Sequence, residues 1–387
     1  MRIIRLENTI RDYAWGSPTA IPQLLGIEPT GRPAAELWIG AHPDSPSHAP
    51  EHDQPLDALI AADPGGLLGA ASVERFGPRL PFLLKVLAAE RALSLQVHPN
   101  AEQARAGYEA EERAGVSQSS AERNYRDPHH KPEMAYALTE FDAFCGFRPP
   151  AETAEYLTAL EVAELLPYRE LLTSEEGVRA VFTTVLSLQG AARAQLIEST
   201  VAGCRRLAAT NGRWAPEARA ALLAAEDFPG DIGPVVALLL NYVKLLPGEA
   251  MFLAAGNVHA YLRGVCIEVL ANSDNVLRCG LTPKHIDVPE LVRIADFTPL
   301  PQPRWQPAEQ SAGGAHFSVP VPDFALGAGH GHAQLRPDLP YLVLAGERPA
   351  TVGEQVLAPW HAAFVGVGDE PVQVRSDGRI FLASPGL

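Results

Sequence analysis

At 387 residues the chain can fill two or three cored domains, and 47% hydrophobic with 20% charged residues is the composition of a globular protein. A formal net charge of −15 excludes a general nucleic-acid binder, which needs clustered Lys and Arg, and obliges any phosphorylated ligand to be held by a local basic cluster. No run of about 20 apolar residues occurs, so no membrane-spanning helix is expected, and the opening residues, Met1-Arg2-Ile3-Ile4-Arg5-Leu6-Glu7, lack the apolar core of a signal peptide.

Residues 1–150 place short apolar runs between glycines and prolines, which predicts strands and turns. In one run, Phe82-Leu83-Leu84-Lys85, a lysine stands within an apolar strand. Such a lysine either snorkels to solvent or faces a pocket. Residues 93–100, Leu-Ser-Leu-Gln-Val-His-Pro-Asn, alternate with period two. Leu93, Leu95 and Val97 share one face, and Ser94, Gln96 and His98 share the other. Three polar groups on an apolar strand need partners or a ligand, and Gln96 and His98 can offer an oxygen and a nitrogen to one point. Residues 101–126 predict a helix or two. His129-His130-Lys131-Pro132-Glu133 then sets Glu133 at the start of a strand over 134–138.

From 151 to 246 the chain changes character. The stretches 151–171, 191–209 and 216–225 are rich in Ala, Leu, Glu and Arg, with Pro and Gly mainly between them, which predicts a helical insert. Helix composition stops at Pro247-Gly248-Glu249. An apolar run over 251–255 leads into Gly256-Asn257-Val258-His259-Ala260-Tyr261, where His259 and Tyr261 share a face. Residues 272–280 are dense in turn formers and carry Asp274 and Arg278, with Lys284 shortly after. Taken alone, this reads as a surface loop with an ordinary ion pair. Its arginine fork equally suits phosphate or enediolate oxygens. Proline clusters at 299–307 and 320–322 mark a linker, and the runs 341–344 and 363–367 read as strands of an antiparallel barrel. Cys145, Cys204, Cys266 and Cys279 show no CxxC spacing and are expected to be reduced, as in the cytosol.

Gln96, His98, Glu133 and His259 form a mixed nitrogen and oxygen set that suits Zn²⁺, and also Mn²⁺, Fe²⁺ or Co²⁺. The set has no thiolate, which favours Lewis-acid chemistry on a sugar over a purely structural zinc. Each histidine read singly is equally a hydrogen-bonded core residue, and spacing alone does not bring His98 and His259 together.

Six segments, in order, carry a resemblance. They are Tyr13-Ala14-Trp15-Gly16-Ser17, Ala35-Glu36-Leu37-Trp38-Ile39-Gly40-Ala41-His42-Pro43, and residues 93–100, 130–138, 256–264 and 272–284. With them the chain resembles the type I mannose-6-phosphate (phosphomannose) isomerases, which are metal-dependent cupins. The resemblance implies one zinc ion held by Gln96, His98, Glu133 and His259, and a catalytic arginine at Arg278 with Asp274 before it. It also implies Ser94, Lys85, Lys131, Tyr261, Glu268 and Lys284 as pocket residues, with Trp15, Glu36 and His130 near them. The implied reaction isomerises mannose 6-phosphate to fructose 6-phosphate through a cis-enediol. Lys131, Asp274 and Glu268 are candidates for the proton-transfer base, and His130 for assisting ring opening. Lys85, Ser94 and Lys284 are candidates for holding the phosphate. Cys279 departs from the small residue expected after the arginine.

The expected fold is mainly β with an α insert, a cupin-type double β-barrel (jelly roll) plus a helical domain. Residues 1–148 and 247–300 would form the catalytic barrel, 149–246 the helical insert and 301–387 a second barrel. A cytoplasmic monomer acting on a small sugar phosphate, with no nucleic-acid or membrane partner, completes the expectation. Isomerisation of another sugar, or sugar binding without catalysis, are the rival readings on the same scaffold.

Overall fold

The structure is a computed structural model and describes residues 3–174, 176–311 and 313–387. Among these residues, antiparallel sheets of 11 and 9 strands carry the fold. The larger sheet is built around one long strand, His259–Ala271. Its second half, from Gly264, pairs with Phe82–Ala89 on one side and Glu133–Ala137 on the other. Its first half pairs instead with Leu95–Val97 and Phe141–Phe147. The change of partners falls at a register shift between Tyr261 and Arg263, followed by Gly264 at φ +114°. A Cβ at Gly264 would lie 2.4 Å from the Glu140 carbonyl oxygen, so only glycine lets the strand turn there.

Phe82–Ala89 is buried at all eight positions, as a run that is apolar but for Lys85 leads one to expect. Its neighbour Glu36–Gly40 aligns Trp38 with Lys85, and the long strand aligns Glu268 with Lys85 from the other side. Leu277–Gly280 pairs with Leu95–Val97 so that Arg278 lies opposite Gln96, which lies opposite His259. These two cross-strand rows of the sheet supply most of the site.

The insert is helical as its composition indicates, with Gly190–Ala208 the longest helix described and Arg205 and Arg206 in its last turn, where they complement the dipole. Leu95 and Val97 pack with Phe144 and Phe147 into one core with the helices' Phe182, Leu196 and Ala221. The apolar face at Leu95 and Val97 is thus spent on the insert, whereas Leu93, expected on that face, lines the pocket with Ser94 and Gln96. The strand itself covers only Leu95–Val97, since the chain bends at its start.

Several boundaries differ from the sequence expectation. Leu240–Leu245, placed within the helical insert by composition, is a strand paired with Phe141–Phe147. Residues 56–76, read among the strands, form three short helices, Leu56–Ala62, Pro64–Leu68 and Ala70–Phe76. The predicted helices over 101–126 end at Arg113. Beyond it the chain is pinned as a loop, because the buried Arg123 donates to the carbonyls of Val116 and Tyr125. The proline-rich linker contributes Arg304–Trp305 to the edge of the larger sheet, and Ile3–Leu6 joins the smaller sheet against Ala362–Val365. The two sheets share an apolar core in which Tyr136 meets Phe317 and Phe381 edge-on. The four cysteines are free and buried. No helix of the described residues is long and apolar enough to cross a membrane.

Candidate functional site

The buried side chains of His98, Glu133 and His259, exposed by 1%, 2% and 1%, converge at the base of a pocket. Their candidate ligand atoms all lie within 4.8 Å of one another. His98 Nε2 is 3.4 Å from Glu133 Oε1, and His259 Nε2 is 3.4 Å from Glu133 Oε2. Ligands held tetrahedrally at about 2.1 Å from an ion are separated by about 3.4 Å, so the spacing fits a zinc-sized ion. Among the described residues, His98 Nε2 and Glu133 Oε2 have no hydrogen-bond partner, an expensive state for buried polar atoms unless a ligand completes it.

The outer nitrogens are fixed by the backbone. His98 Nδ1 lies 2.6 Å from the Asn275 carbonyl and His259 Nδ1 lies 2.9 Å from the Asn257 carbonyl. Each Nδ1 therefore donates, which leaves each Nε2 lone pair free toward the centre. Gln96 closes the set, its side-chain amide 3.3 Å from His259 Nε2, and a half-turn of that amide presents the oxygen. Burial pushes His98 down to about 4. Burial would raise Glu133, but Lys131, His98 and His259 outweigh it and hold the carboxyl well below its usual range. A neutral imidazole and an ionised carboxylate are the forms that bind a cation.

Above this centre opens a pocket of about 390 Å³. Gln96, Glu133 and Lys131 line its inner end, with Lys131 Nζ 3.3 Å from Glu133 Oε1. Trp15, Ser94, Tyr261, Asp274, Arg278 and the exposed Lys284 also line it. Lys85 is buried between two carboxylates, 3.4 Å from Glu36 and 3.1 Å from Glu268, with its ammonium 5.1 Å from the Trp38 ring centroid. Burial alone would lower Lys85, but the flanking carboxylates hold it above its ordinary range. Its charge is compensated within the protein, which removes it from the free cations expected to meet a phosphate. Arg278, by contrast, has no acceptor for its guanidinium among the described residues.

One expected neighbour lies elsewhere. His130 turns toward the C-terminal region, with Nε2 2.9 Å from Asp323 Oδ2, and does not line the pocket. The reverse holds for Trp38 and His42, which line the pocket. Both lie in the 35–43 segment quoted for the resemblance, and period two from Glu36 already puts Trp38 on its face. His42 is buried, edge-on to Trp38 with ring centroids 4.8 Å apart. Its Nδ1 accepts from the Asp44 amide at 3.2 Å, so its proton sits on Nε2, 3.4 Å from Asp274 Oδ1. Burial would raise Asp274, yet the His42 contact and the charges of Lys131 and Lys85 bring it below its usual range. Cys279 is fully buried in the core behind Arg278 and takes no part in the pocket.

Comparison with known proteins agrees with this geometry. A profile for phosphomannose isomerase type I, catalytic domain, matches residues 3–150. The mannose-6-phosphate isomerase of Escherichia coli is 40% identical over 390 residues, covering 97% of this chain and 98% of that one. The Bos taurus mannose-6-phosphate isomerase is 36% identical over 353 residues, covering 84% of this chain and 81% of its own length. A crystal structure of the Salmonella typhimurium enzyme bound to fructose 6-phosphate and zinc superposes with a TM-score of 0.90 at 37% identity, over the whole of both chains. Full-length similarity at this level, together with a buried His, Glu and His set spaced for a metal ion, means that the chain belongs to the type I phosphomannose isomerase family, with its cupin fold.

Proposed function

We propose that this chain interconverts mannose 6-phosphate and fructose 6-phosphate through a cis-enediol, with one zinc ion per chain held by Gln96, His98, Glu133 and His259. The observation that carries the reading is the cross-strand row His259, Gln96, Arg278, which sets an unpartnered guanidinium beside the metal-binding set. When bound, zinc supplies Lewis-acid stabilisation of negative charge on the substrate's oxygens. Mn²⁺, Co²⁺ or Fe²⁺ are proposed as substitutes on the same nitrogen and oxygen ligands.

The remaining chemistry falls to side chains. Loss of the C2 proton places negative charge on the carbonyl oxygen, and the free N–H groups of Arg278 stabilise it. Asp274 is the proposed base. Of the candidates, Lys131 is paired with Glu133 and Glu268 with Lys85, whereas Asp274 is ionised and held only by the His42 N–H. Asp274 takes the C2 proton and returns it to C1 while the hydroxyl proton on O2 passes to O1, which completes the isomerisation without net gain or loss of protons. His42 Nε2–H orients the carboxylate and keeps it charged, so it is a positioning residue. Trp15 and Tyr261 provide apolar wall for the sugar, and Lys85 with Glu36 and Glu268 forms a rigid polar floor. The link of His130 to Asp323 favours a structural part for it over ring opening. A cytoplasmic monomer is proposed in keeping with four reduced cysteines.

The test is a coupled assay of the purified protein with mannose 6-phosphate, before and after chelation and with zinc restored. Fructose 6-phosphate that disappears on chelation and returns with Zn²⁺ is the expected result. Absence of turnover by protein shown to contain zinc overturns the reading.

A further inference from the structure

Asp323 belongs to the smaller sheet, in the turn between the strands Gly314–Ser318 and Ala325–Leu335. It is 5% exposed, and no step of the proposed chemistry uses it. A carboxylate taken out of water is costly unless a partner compensates it. Its mount is rigid. The next residue, Phe324, is fully buried in the core that the two sheets share, and the Gly386 amide donates to the carbonyl of Pro322 just before it. Oδ2 of Asp323 lies 2.9 Å from His130 Nε2, which therefore donates to it. The bond joins the smaller sheet to the loop that leads into Glu133–Ala137 of the larger one.

His130 stands one residue before Lys131 and three before Glu133, so fixing its imidazole fixes the loop that delivers both to the pocket. His129 beside it has Nδ1 3.3 Å from the Arg79 guanidinium. Arg79 is attracted by the carboxylates of both Asp323 and Asp127 and reaches the Asn272 carbonyl. Asp127 in turn accepts from the Asp274 amide at 2.8 Å and from the Ser273 hydroxyl at 2.9 Å. The Asn275 side chain donates to the carbonyls of Asp127 and His129, while its own carbonyl takes the Nδ1–H of His98. Residues 127–133 and 272–275 are thus tied into one unit, which carries Lys131, Glu133, Asp274 and the support of His98. Asp323 holds that unit from the opposite sheet.

We propose that Asp323 is a positioning residue: through His130 it sets the loop of Lys131 and Glu133 against the loop of Asp274, so that the C-terminal sheet holds the catalytic groups in register. For its effect on turnover the proposal rests on the isomerase reading, to which it adds a residue outside the pocket. Such distant support matters because a misplacement of about 1 Å can cost about a hundredfold in rate. Its effect on the metal-binding set needs no sugar, since supports behind metal ligands are worth about 10- to 100-fold in metal affinity.

The test compares the full-length protein with Asp323→Ala in two measurements, steady-state kinetics on mannose 6-phosphate at saturating zinc and zinc affinity by competition with a chromophoric chelator. The expected result is a fall in kcat of about tenfold or more with KM nearly unchanged, or a zinc dissociation constant raised by about tenfold. Asp323→Asn should recover most of the loss, because its side-chain oxygen still accepts from His130 Nε2. In a His130→Ala background, Asp323→Ala should change kcat by less than about twofold further, because it acts through that histidine. Single-variant effects that multiply in the double variant overturn the inference. So do kcat and zinc affinity both within about twofold of the parent, even if the melting temperature falls, since that marks a packing role alone. Should Asp323→Ala not fold, Asp323→Leu removes the acceptor while keeping the volume, and the same outcomes decide. If the parent binds zinc but does not turn over mannose 6-phosphate, the isomerase reading fails instead, and the zinc affinities of parent and variant still decide the positioning role.

Discussion

His42 lies 3.4 Å from the Asp274 carboxylate, and that contact governs how the pocket responds to pH. Its N–H favours the charged carboxylate, against burial, so removing the donor must raise the Asp274 pKa. His42→Phe keeps a ring against Trp38 and loses the donor. The acid limb of the kcat/KM profile should then move to higher pH by about one unit, because the base is protonated sooner as pH falls. An unmoved limb would count against Asp274 as the base. Arg278 has a different signature. Arg278→Ala should keep its zinc, measured by metal analysis, and lose turnover by about 10²–10³-fold or more. Near-parent kcat would refute the role. At this scale the sequence was informative where period two applied, since Gln96 follows from alternation alone. It misread as helix the irregular stretch after Arg113, whose course is set by buried residues such as Arg123 and by the Asn275 side chain. No periodicity marks such a residue.

Among the elements, the long strand His259–Ala271 and the helix Ala215–Asp227 make the clearest predictions. Gly264→Ala forces a Cβ against the Glu140 carbonyl at φ +114° and should cost about 2 kcal/mol or more in chemical denaturation. A loss below about 0.5 kcal/mol would show that the turn relaxes. Asp227 ends its helix and ties three elements, accepting from the Ala92 amide, Arg91 and Arg263. Burial would raise its carboxyl, but these donors hold it below the usual range. A depressed folded-state pKa gives stability that is complete above the unfolded value of about 3.9 and disappears as pH falls through the folded value. Asp227→Asn should therefore be less stable than the parent at pH 7, with the gap narrowing below about pH 4 in denaturation at several pH values. A gap independent of pH would exclude linkage through this carboxyl. Element type was legible where composition was extreme, as in Gly190–Ala208, or apolar but for one residue, as in Phe82–Ala89. The short helices of residues 56–76 were missed because each is at most seven residues long and glycines and prolines punctuate the stretch.

Across the whole molecule, the C-terminal sheet is more than an appendage. Phe317, Phe364 and Phe381 share one core with Leu37, Leu84, Tyr136 and Ile267 of the larger sheet, and Ile3–Leu6 completes the smaller sheet from the other end of the chain. Removing residues 301–387 would expose that apolar face and orphan the N-terminal strand. The truncated chain should fail to give a cooperative unfolding transition by circular dichroism, and the intact chain should give a single one. Two well-separated transitions in the intact chain would show that the sheets are independent. Composition alone split the chain near 300, because a shared core leaves no trace in local sequence.

The register shift between Tyr261 and Arg263 has a further bearing. Tyr261 and Glu268 both face the pocket although one position is odd and the other even, which an unbroken strand forbids. One extra residue at the corner corrects the parity. The pocket's two halves thus depend on an exact count of residues between them. Inserting or deleting a single residue between 261 and 268 would turn Glu268 outward and leave Lys85 with Glu36 alone. A change of length is therefore forbidden along the strand that joins His259 to Glu268.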